Sequence, residues 1–361
     1  MRLSLYIARR FLTTFALVLG AFFAILYLLD LIEQVRRLPD DTFSKLAGLS
    51  LLHTPASVYR ILPLIMILSA IALFLRLART SELVAIRAAG RSGLRTLAAP
   101  VCAAFLMGIV AVALFNPIVA ATSKRYAILT GTGAGISDAS ISTDGLWLRQ
   151  GDTDRQWVIR ADSVDPDGTA LYGVTFLAFG ADGQPLSRIE AASARLQDGR
   201  WIARDVREWD LADSLNPEAS ARTSAELTLT SDLTADQIRD SIGAPETISI
   251  WDMPTFITQL DRAGFSARRH AVWFQMELAL PILLAAMVMV GAGFTMRHAR
   301  FGQTGPLVLI ALVSGIAVFF VRNFAQVLGE SGQIPIFLAA WSPPIAAALL
   351  SVSLLLHLED G

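Results

Sequence analysis

The sequence predicts a membrane protein: six transmembrane helices, three on each side of an inserted, β-jellyroll-like domain on the non-cytoplasmic side. Three observations predict it. Six apolar stretches stand three before and three after a charged, strand-patterned block of roughly 150 residues, 121–270, and arginines gather in the short loops between the stretches. Of 361 residues, 54% are hydrophobic and only 17% charged, too apolar for an ordinary soluble chain, and the excess is concentrated in blocks. The predicted division is an N-terminal membrane half, 1–120, the inserted domain with a return helix, 121–270, and a C-terminal membrane half, 271–361.

The first span, Phe11–Leu29, is longer than the apolar core of a signal peptide. It is followed by Asp30 and Glu33 and carries no small-residue cleavage site, so a retained helix is expected. The second, Ile61–Leu75, is short but bounded by Arg60 and Arg76, whose stems extend the apolar length while their guanidiniums reach the headgroups. Leu97–Phe115, Leu278–Met296, Pro306–Val321 and Ile334–Leu356 complete the set. Lipid offers no partner to open backbone groups, which makes all six helices. Arg2, Arg9 and Arg10 precede the first span, Arg76, Arg79, Arg87, Arg91 and Arg95 join the second to the third, and Arg297 and Arg300 join the fourth to the fifth. The positive-inside rule puts these loops in the cytoplasm. The segment 121–272 has 22 acidic against 15 basic residues and belongs on the opposite side.

Within the insert the hydrophobic period changes to two. Strands are expected at Gly145–Arg149, Gln156–Arg160, Leu171–Phe179, Arg188–Leu196, Arg200–Ala203 and Ala225–Leu229, separated by turn signals at 165–168, 181–183 and 197–199. Short strands at close spacing argue for a sandwich or jelly roll. Met253–Ala263, opened by Asp252 and closed by Gly264, reads as an amphipathic return helix. Trp147, Trp157, Trp201 and Trp209 fit a packed core or an apolar groove for an acyl chain, and alternation alone leaves both open.

Several function classes drop out. There is no phosphate-binding loop, no HExxH or GxSxG motif and no carboxylate pair set for catalysis, so the chain reads as a non-catalytic subunit with no cofactor of its own. Cys102 is the single cysteine and four scattered histidines form no ligand cluster, so no metal is expected. No patch reads as a nucleic-acid surface.

Three places could carry function. Ser81-Glu82 opens a short cytoplasmic helix with Leu83 and Ile86 on one apolar face, Arg87 beside them and Gly90 as its stop. Tied at both ends to membrane helices, it is either a rigid lever for a cytoplasmic partner or an interfacial helix lying on lipid. Arg36 and Arg37, past the first span, either hold an anionic headgroup or are a snorkelling cluster offset by Asp30 and Glu33. Glu277 sits inside the fourth span four residues before Pro281, a carboxylate at costly depth beside a helix bend.

Tyr6-Ile-Ala-Arg9, Asp30-Leu-Ile-Glu-Gln-Val-Arg-Arg37 and above all Ser81-Glu-Leu-Val-Ala-Ile-Arg-Ala-Ala-Gly90 resemble the YjgP/YjgQ permeases, the LptF/LptG family of the lipopolysaccharide exporter, as does Glu277-Leu-Ala-Leu-Pro281. The likeness covers essentially the whole chain, and the segment after the first span is nearer the LptG branch. The resemblance implies a multi-pass inner-membrane permease with a periplasmic domain, paired with the paralogous permease LptF. A dimer of the cytoplasmic ATPase LptB would supply hydrolysis, with ATP and magnesium bound there. Lipopolysaccharide would be delivered to a periplasmic bridge, and the bridge or a single-span regulatory component, LptC, would be a further partner. It also implies that Glu82 lies in the ATPase-coupling helix and that Arg36 and Arg37 meet lipid phosphates. A non-transporting envelope scaffold, whose β domain binds other proteins, is the alternative and makes no use of Glu82.

Overall fold

A computed structural model describes residues 2–39, 41–88, 92–130, 140–142, 145–151, 155–165, 169–180, 182–212, 218, 221–231, 244–262, 265–296 and 304–360. The chain divides into two compact units. One comprises Met1–Tyr126, Ser249–Trp251 and Arg268–Gly361, and the other Ala127–Ile248 and Asp252–Ala267.

The first unit is helical. Its elements are α1 (Arg2–Arg37), α2 (Phe43–Arg60), α3 (Leu62–Arg79), the short α4 (Glu82–Ala88), α5 (Gly93–Val110), a π-helical turn (Ala111–Phe115) and α6 (Asn116–Thr130). After the insert come α8 (Arg268–Thr295), α9 (Thr304–Glu330) and α10 (Ile336–Asp360). Among the described residues six helices are long and apolar enough to cross a membrane: Leu3–Arg37, Leu62–Arg79, Gly93–Thr130, Arg268–Thr295, Gly305–Glu330 and Ile336–His357. At 1.5 Å per residue α1 is about 54 Å long, well beyond the roughly 30 Å of hydrocarbon, so it projects past the bilayer. Asp30–Arg37 therefore continues the helix. The sequence reading left 38–60 without an element, yet α2 forms there. Its Gly48, Ser50, Thr54 and Pro55 blunt the helical signal, and packing of Leu46, Leu49 and Val58 supplies what propensity does not.

The centre of this unit is α8 and α3. In its most apolar window 78% of α8 is buried and 61% of α3, against 6% of α1 and 11% of α9. Ile65, Met66, Phe74, Leu283, Leu284 and Met287 are almost fully enclosed. Small residues permit the close approach. A Cβ added at Gly108 would stand 2.4 Å from the Cα of Pro281, so α5 and α8 touch backbone to backbone there.

The second unit is one antiparallel sheet of seven strands in sequential order: β1 (Ser140–Ser142), β2 (Gly145–Gly151), β3 (Arg155–Val164), β4 (Ala170–Gly180), β5 (Pro185–Gln197), β6 (Arg200–Asp210) and β7 (Arg222–Thr230). Asp198-Gly199, at φ 50° and 69°, forms the two-residue turn between paired Gln197 and Arg200, as mirror-image turns require. Asp165 accepts from the backbone N–H of Thr169 (2.7 Å) and Ala170 (2.9 Å), closing the turn before β4. Gly173, at φ 60°, resets the alternation of β4, so Leu171 and Val174 face the core together. Trp201 is fully buried, edge-on to Phe176 at 6.3 Å, in a core shared with Leu260 and Phe265 from and just after α7 (Met253–Arg262). It is a packing residue. Trp147 and Trp209 lie beneath guanidiniums instead, of Arg160 and of Arg188 and Arg207.

Candidate functional site

The short helix α4 is built into the bundle. Thr80 ends α3, its N–H donating to Arg76 O at 3.0 Å. Ser81 then takes φ 58°, a left-handed turn that starts a new helix in a new direction. The Ser81 carbonyl accepts the first α4 bond from Ala85 N–H at 3.1 Å. Leu83 and Ile86, at 5% and 6% exposure, join the core of the helical unit. The apolar face of α4 is therefore spent inward, while Ser81, Ala85 and Ala88 remain exposed. The Arg87 side chain and Gly90 lie outside the described residues.

Glu82 is the knot of this arrangement. Arg10 Nη1 donates to both of its carboxylate oxygens, at 2.7 and 2.8 Å. Tyr6 O–H donates at 3.2 Å and Thr80 O–H at 3.1 Å, and the Arg10 guanidinium stands 5.0 Å over the Tyr6 ring. Burial favours the protonated carboxyl, but the hydrogen bonds from Arg10, Thr80 and Tyr6 outweigh it, holding Glu82 below the ordinary carboxylate range. One side chain thus ties α4 to α1 and to the end of α3. Sequence reasoning found Glu82 but missed Arg10 and Tyr6, which lie 72 and 76 residues away.

Arg36 and Arg37 share one carboxylate. Arg36 Nη2 lies 2.8 Å and Arg37 Nε 2.7 Å from Glu33, and both guanidiniums are well exposed, so the triad presents one net positive charge. Behind it the last turns of α1 are stapled to two helices. Gln34 donates to the Tyr126 hydroxyl at 2.7 Å, His53 Nδ1 lies 2.6 Å from Asp30, and the His53 and Tyr126 rings stack at 4.8 Å. The structure does not bring this region together with α4. The two lie at opposite ends of α1.

Glu277 and Pro281 form a third locus, in α8. Glu277, 1% exposed, accepts from the Tyr59 hydroxyl of α2 and from Asn116 Nδ2 at 3.4 Å, and Arg322 of α9 interacts with it electrostatically. Pro281, four residues on, gives no N–H to the Glu277 carbonyl. Asn116 uses its other end as well: its Oδ1 accepts the Ile250 N–H at 2.8 Å. Beside it, the Trp251 indole donates to Ala113 O, inside the π-helical turn, at 3.1 Å. Such turns leave carbonyls misaligned with the helix, and here a tertiary donor fills one. Carboxylate, phenol, amide and guanidinium compensate one another where lipid could not. Tyr59 and Asn116 were missed from sequence, and Arg322 was read only as the arginine that bounds the fifth span. A polar residue at the edge of an apolar run is the only sign they give.

Among the described residues no group of three or more His, Cys, Asp or Glu is placed to hold a metal ion. What the helical unit offers is a long apolar surface, a polar lock between helices and a short helix fixed to two others.

The comparisons agree with this plan. The family model described as lipopolysaccharide export system permease LptF/LptG matches residues 5–357. The lipopolysaccharide export system permease protein LptG of Escherichia coli K12 is 24% identical over 353 residues, covering 96% of this chain and 94% of that one. The protein of the same name from Escherichia coli O6:H1 strain CFT073 shows the same identity and coverage. With a match running nearly end to end, the chain belongs to the LptF/LptG family of lipopolysaccharide export permeases.

Proposed function

We propose that this chain is the LptG-type permease subunit of an ATP-driven exporter that draws lipopolysaccharide from the inner membrane and passes it to a periplasmic bridge. Its partners would be a paralogous LptF permease, a cytoplasmic LptB ATPase dimer and the LptC component. The observation that carries the reading is the fixing of α4 to both α1 and α3 through Glu82, Leu83 and Ile86. A push on the exposed Ser81, Ala85 and Ala88 face would move the ends of two membrane helices as one body. An interfacial helix lying passively on lipid has no need of a paired carboxylate.

In this mechanism the orientation is that of the arginine-rich loops, with α4 cytoplasmic and the sheet periplasmic. Closure of the ATPase dimer displaces α4. The Arg10–Glu82 pair carries that displacement into α1, whose surface is the least enclosed of the six. Narrowing of the space beside α1 expels the amphiphile outwards. Arg36 and Arg37, one net charge at the outer end of α1, offer guanidiniums to the headgroup phosphates. The seven-stranded antiparallel sheet would shelter the acyl chains on the way to the bridge.

The test is mild-detergent purification of the chain from its native membrane, with mass spectrometry of every retained protein and lipid. Recovery of a homologous permease, two copies of a small ATPase and lipopolysaccharide is expected. A stable assembly without ATPase or amphiphile, reproduced in lipid nanodiscs, would overturn the export reading in favour of a scaffold.

A further inference from the structure

The seven-stranded sheet bends along one transverse line. In β4, β5 and β6 the inward row skips a place there: Leu171 and Val174, Ala191 and Ala194, and Ala203 and Val206 are buried pairs three residues apart. The ladders pass over Gly173, Ala192 and Asp205 without changing register, and Gly173 and Asp205 take φ 60° and 53°. Left-handed residues at one level of neighbouring strands re-aim them together, so the sheet creases. The crease turns two leaves towards each other. Phe176 and Trp201 stand edge-on at 6.3 Å, yet Trp201 lies seven residues along β6 from Glu208, which is level with Phe176, about 23 Å away on a flat sheet. Between the leaves is the apolar core, to which Leu260 and Phe265 also contribute.

One side chain joins the leaves at the edge opposite the crease. Gln150, near the end of β2, continues the inward row of Leu146 and Leu148. Its Oε1 accepts from the Ser231 hydroxyl at 2.8 Å and from the Trp201 indole at 3.4 Å, and its Nε2 donates to the Thr230 carbonyl at 3.3 Å. On a flat sheet Gln150 and Trp201 would stand four strands and nine residues apart, about 35 Å. Gln150 is level with Trp157, five residues from the crease at Asp162, and Thr230 is five residues from the crease at Ala225, about 17 Å out on each leaf. Among the described residues the strand order runs from β1 to β7 with no ladder between the first and the last. The mouth is therefore held by side chains where the rest of the sheet is held by backbone.

We infer that Gln150 is a latch: the leaf tips part and meet about the crease, and release of this one side chain uncovers the outer part of the apolar interior. Parting the tips breaks no ladder bond, only side-chain hydrogen bonds that water can replace, so the fold opens here before it opens elsewhere. In the export reading this mouth is where an acyl chain would enter. The latch itself rests on the folded sheet and not on that reading.

The test uses the full chain in nanodiscs, with the single cysteine removed by Cys102→Ser and one interior position at a time opened to alkylation. Ala178, 2% exposed, is level with Gln150 at the mouth, and Ala161, 1% exposed, adjoins the crease. Maleimide labelling of Ala178→Cys should be slow and should accelerate about tenfold when Gln150→Ala is added, while labelling of Ala161→Cys changes by less than about twofold. Ser231→Ala, which removes only the 2.8 Å contact, should accelerate labelling of Ala178→Cys about threefold, and it carries the test if Gln150→Ala fails to fold. Equal acceleration at the mouth and at the crease would mean general loosening and would overturn the latch. So would a labelling rate at Ala178→Cys that neither Gln150→Ala nor Ser231→Ala alters. The readout needs no lipopolysaccharide and no partner protein, so failure of the latch and failure of the export reading are distinguishable.

Discussion

Breaking the Arg10–Glu82 pair should uncouple α4 from α1. Both side chains are about a quarter exposed, at 26% and 28%, and both carboxylate oxygens are engaged at 2.7 and 2.8 Å. An open surface pair contributes about 0.2–1 kcal/mol, and hydrogen bonds to charged groups about 1.5–3 kcal/mol. Partial burial with two short contacts puts the coupling near 1.4 kcal/mol, about tenfold in an equilibrium. The measurement is a double-mutant cycle of Arg10→Met, Glu82→Gln and both, scored by unfolding in detergent and by ATP-dependent lipid release from the reconstituted complex. Either single change should cost most of what the double change costs. Additivity within about 0.5 kcal/mol would refute the argument that the two residues act together. The pH dependence supplies an independent check. Glu82 is held below its ordinary value of 4.5, so its contribution is complete above that value and is lost as pH falls through the lower folded one. Wild type and Glu82→Gln should differ by a constant amount from pH 8 to pH 5 and converge only in stronger acid. Convergence between pH 8 and pH 6 would mean that some other group controls the contact.

Three further outcomes are expected. Gly108→Ala places a methyl group against the Pro281 backbone and should cost about 1–3 kcal/mol in detergent unfolding, whereas Gly20→Ala, with nothing within 4 Å, should be neutral or slightly stabilising; equal effects would contradict the backbone contact. Glu277→Ala strands Tyr59, Asn116 and Arg322 in the bundle and should cost about 3–5 kcal/mol, with Glu277→Gln milder because it keeps an acceptor; folded yield and melting temperature give the comparison, and a Gln variant as damaged as the Ala variant would remove the hydrogen-bonded lock from the account. Arg36→Glu with Arg37→Glu should reduce photocrosslinking to lipopolysaccharide while leaving recovery of the complex intact, and unchanged crosslinking would dismiss the headgroup site.

The long apolar helices were legible because an apolar run of that length has few other uses, and the strand positions because Asp-Gly turns punctuate a period of two. What remained hidden was whatever depends on residues distant in sequence. Alternation locates strands without ordering them, so the sequential pairing of β1 to β7 had to come from the structure. Helix α2 was hidden for another reason, since its stability comes from burial of Leu46, Leu49 and Val58 rather than from its own propensity. At the candidate sites the sequence supplied single members: Glu82 without Arg10, Glu277 without Tyr59, Arg36 and Arg37 without the His53–Tyr126 staple behind them. The π-helical turn at 111–115 left no mark at all, because the donor to its Ala113 carbonyl is Trp251, 138 residues later.

Asn116, ten residues before the helical unit gives way to the insert, holds the N–H of Ile250, in the short segment Ser249–Trp251 that belongs to the helical unit again before the chain finally returns to it at Arg268. The excursion between them is thus a loop whose two feet share one amide side chain. Because the entropy of closing such a loop grows only with the logarithm of its length, lengthening or shortening the excursion costs the bundle little while the feet stay pinned. In evolutionary terms the clasp turns the soluble part into a cassette. Strands could be gained, lost or exchanged between relatives without renegotiating the helix packing beneath, and a grafted insert that keeps an asparagine at 116 and a free backbone N–H at 250 starts with its attachment already solved.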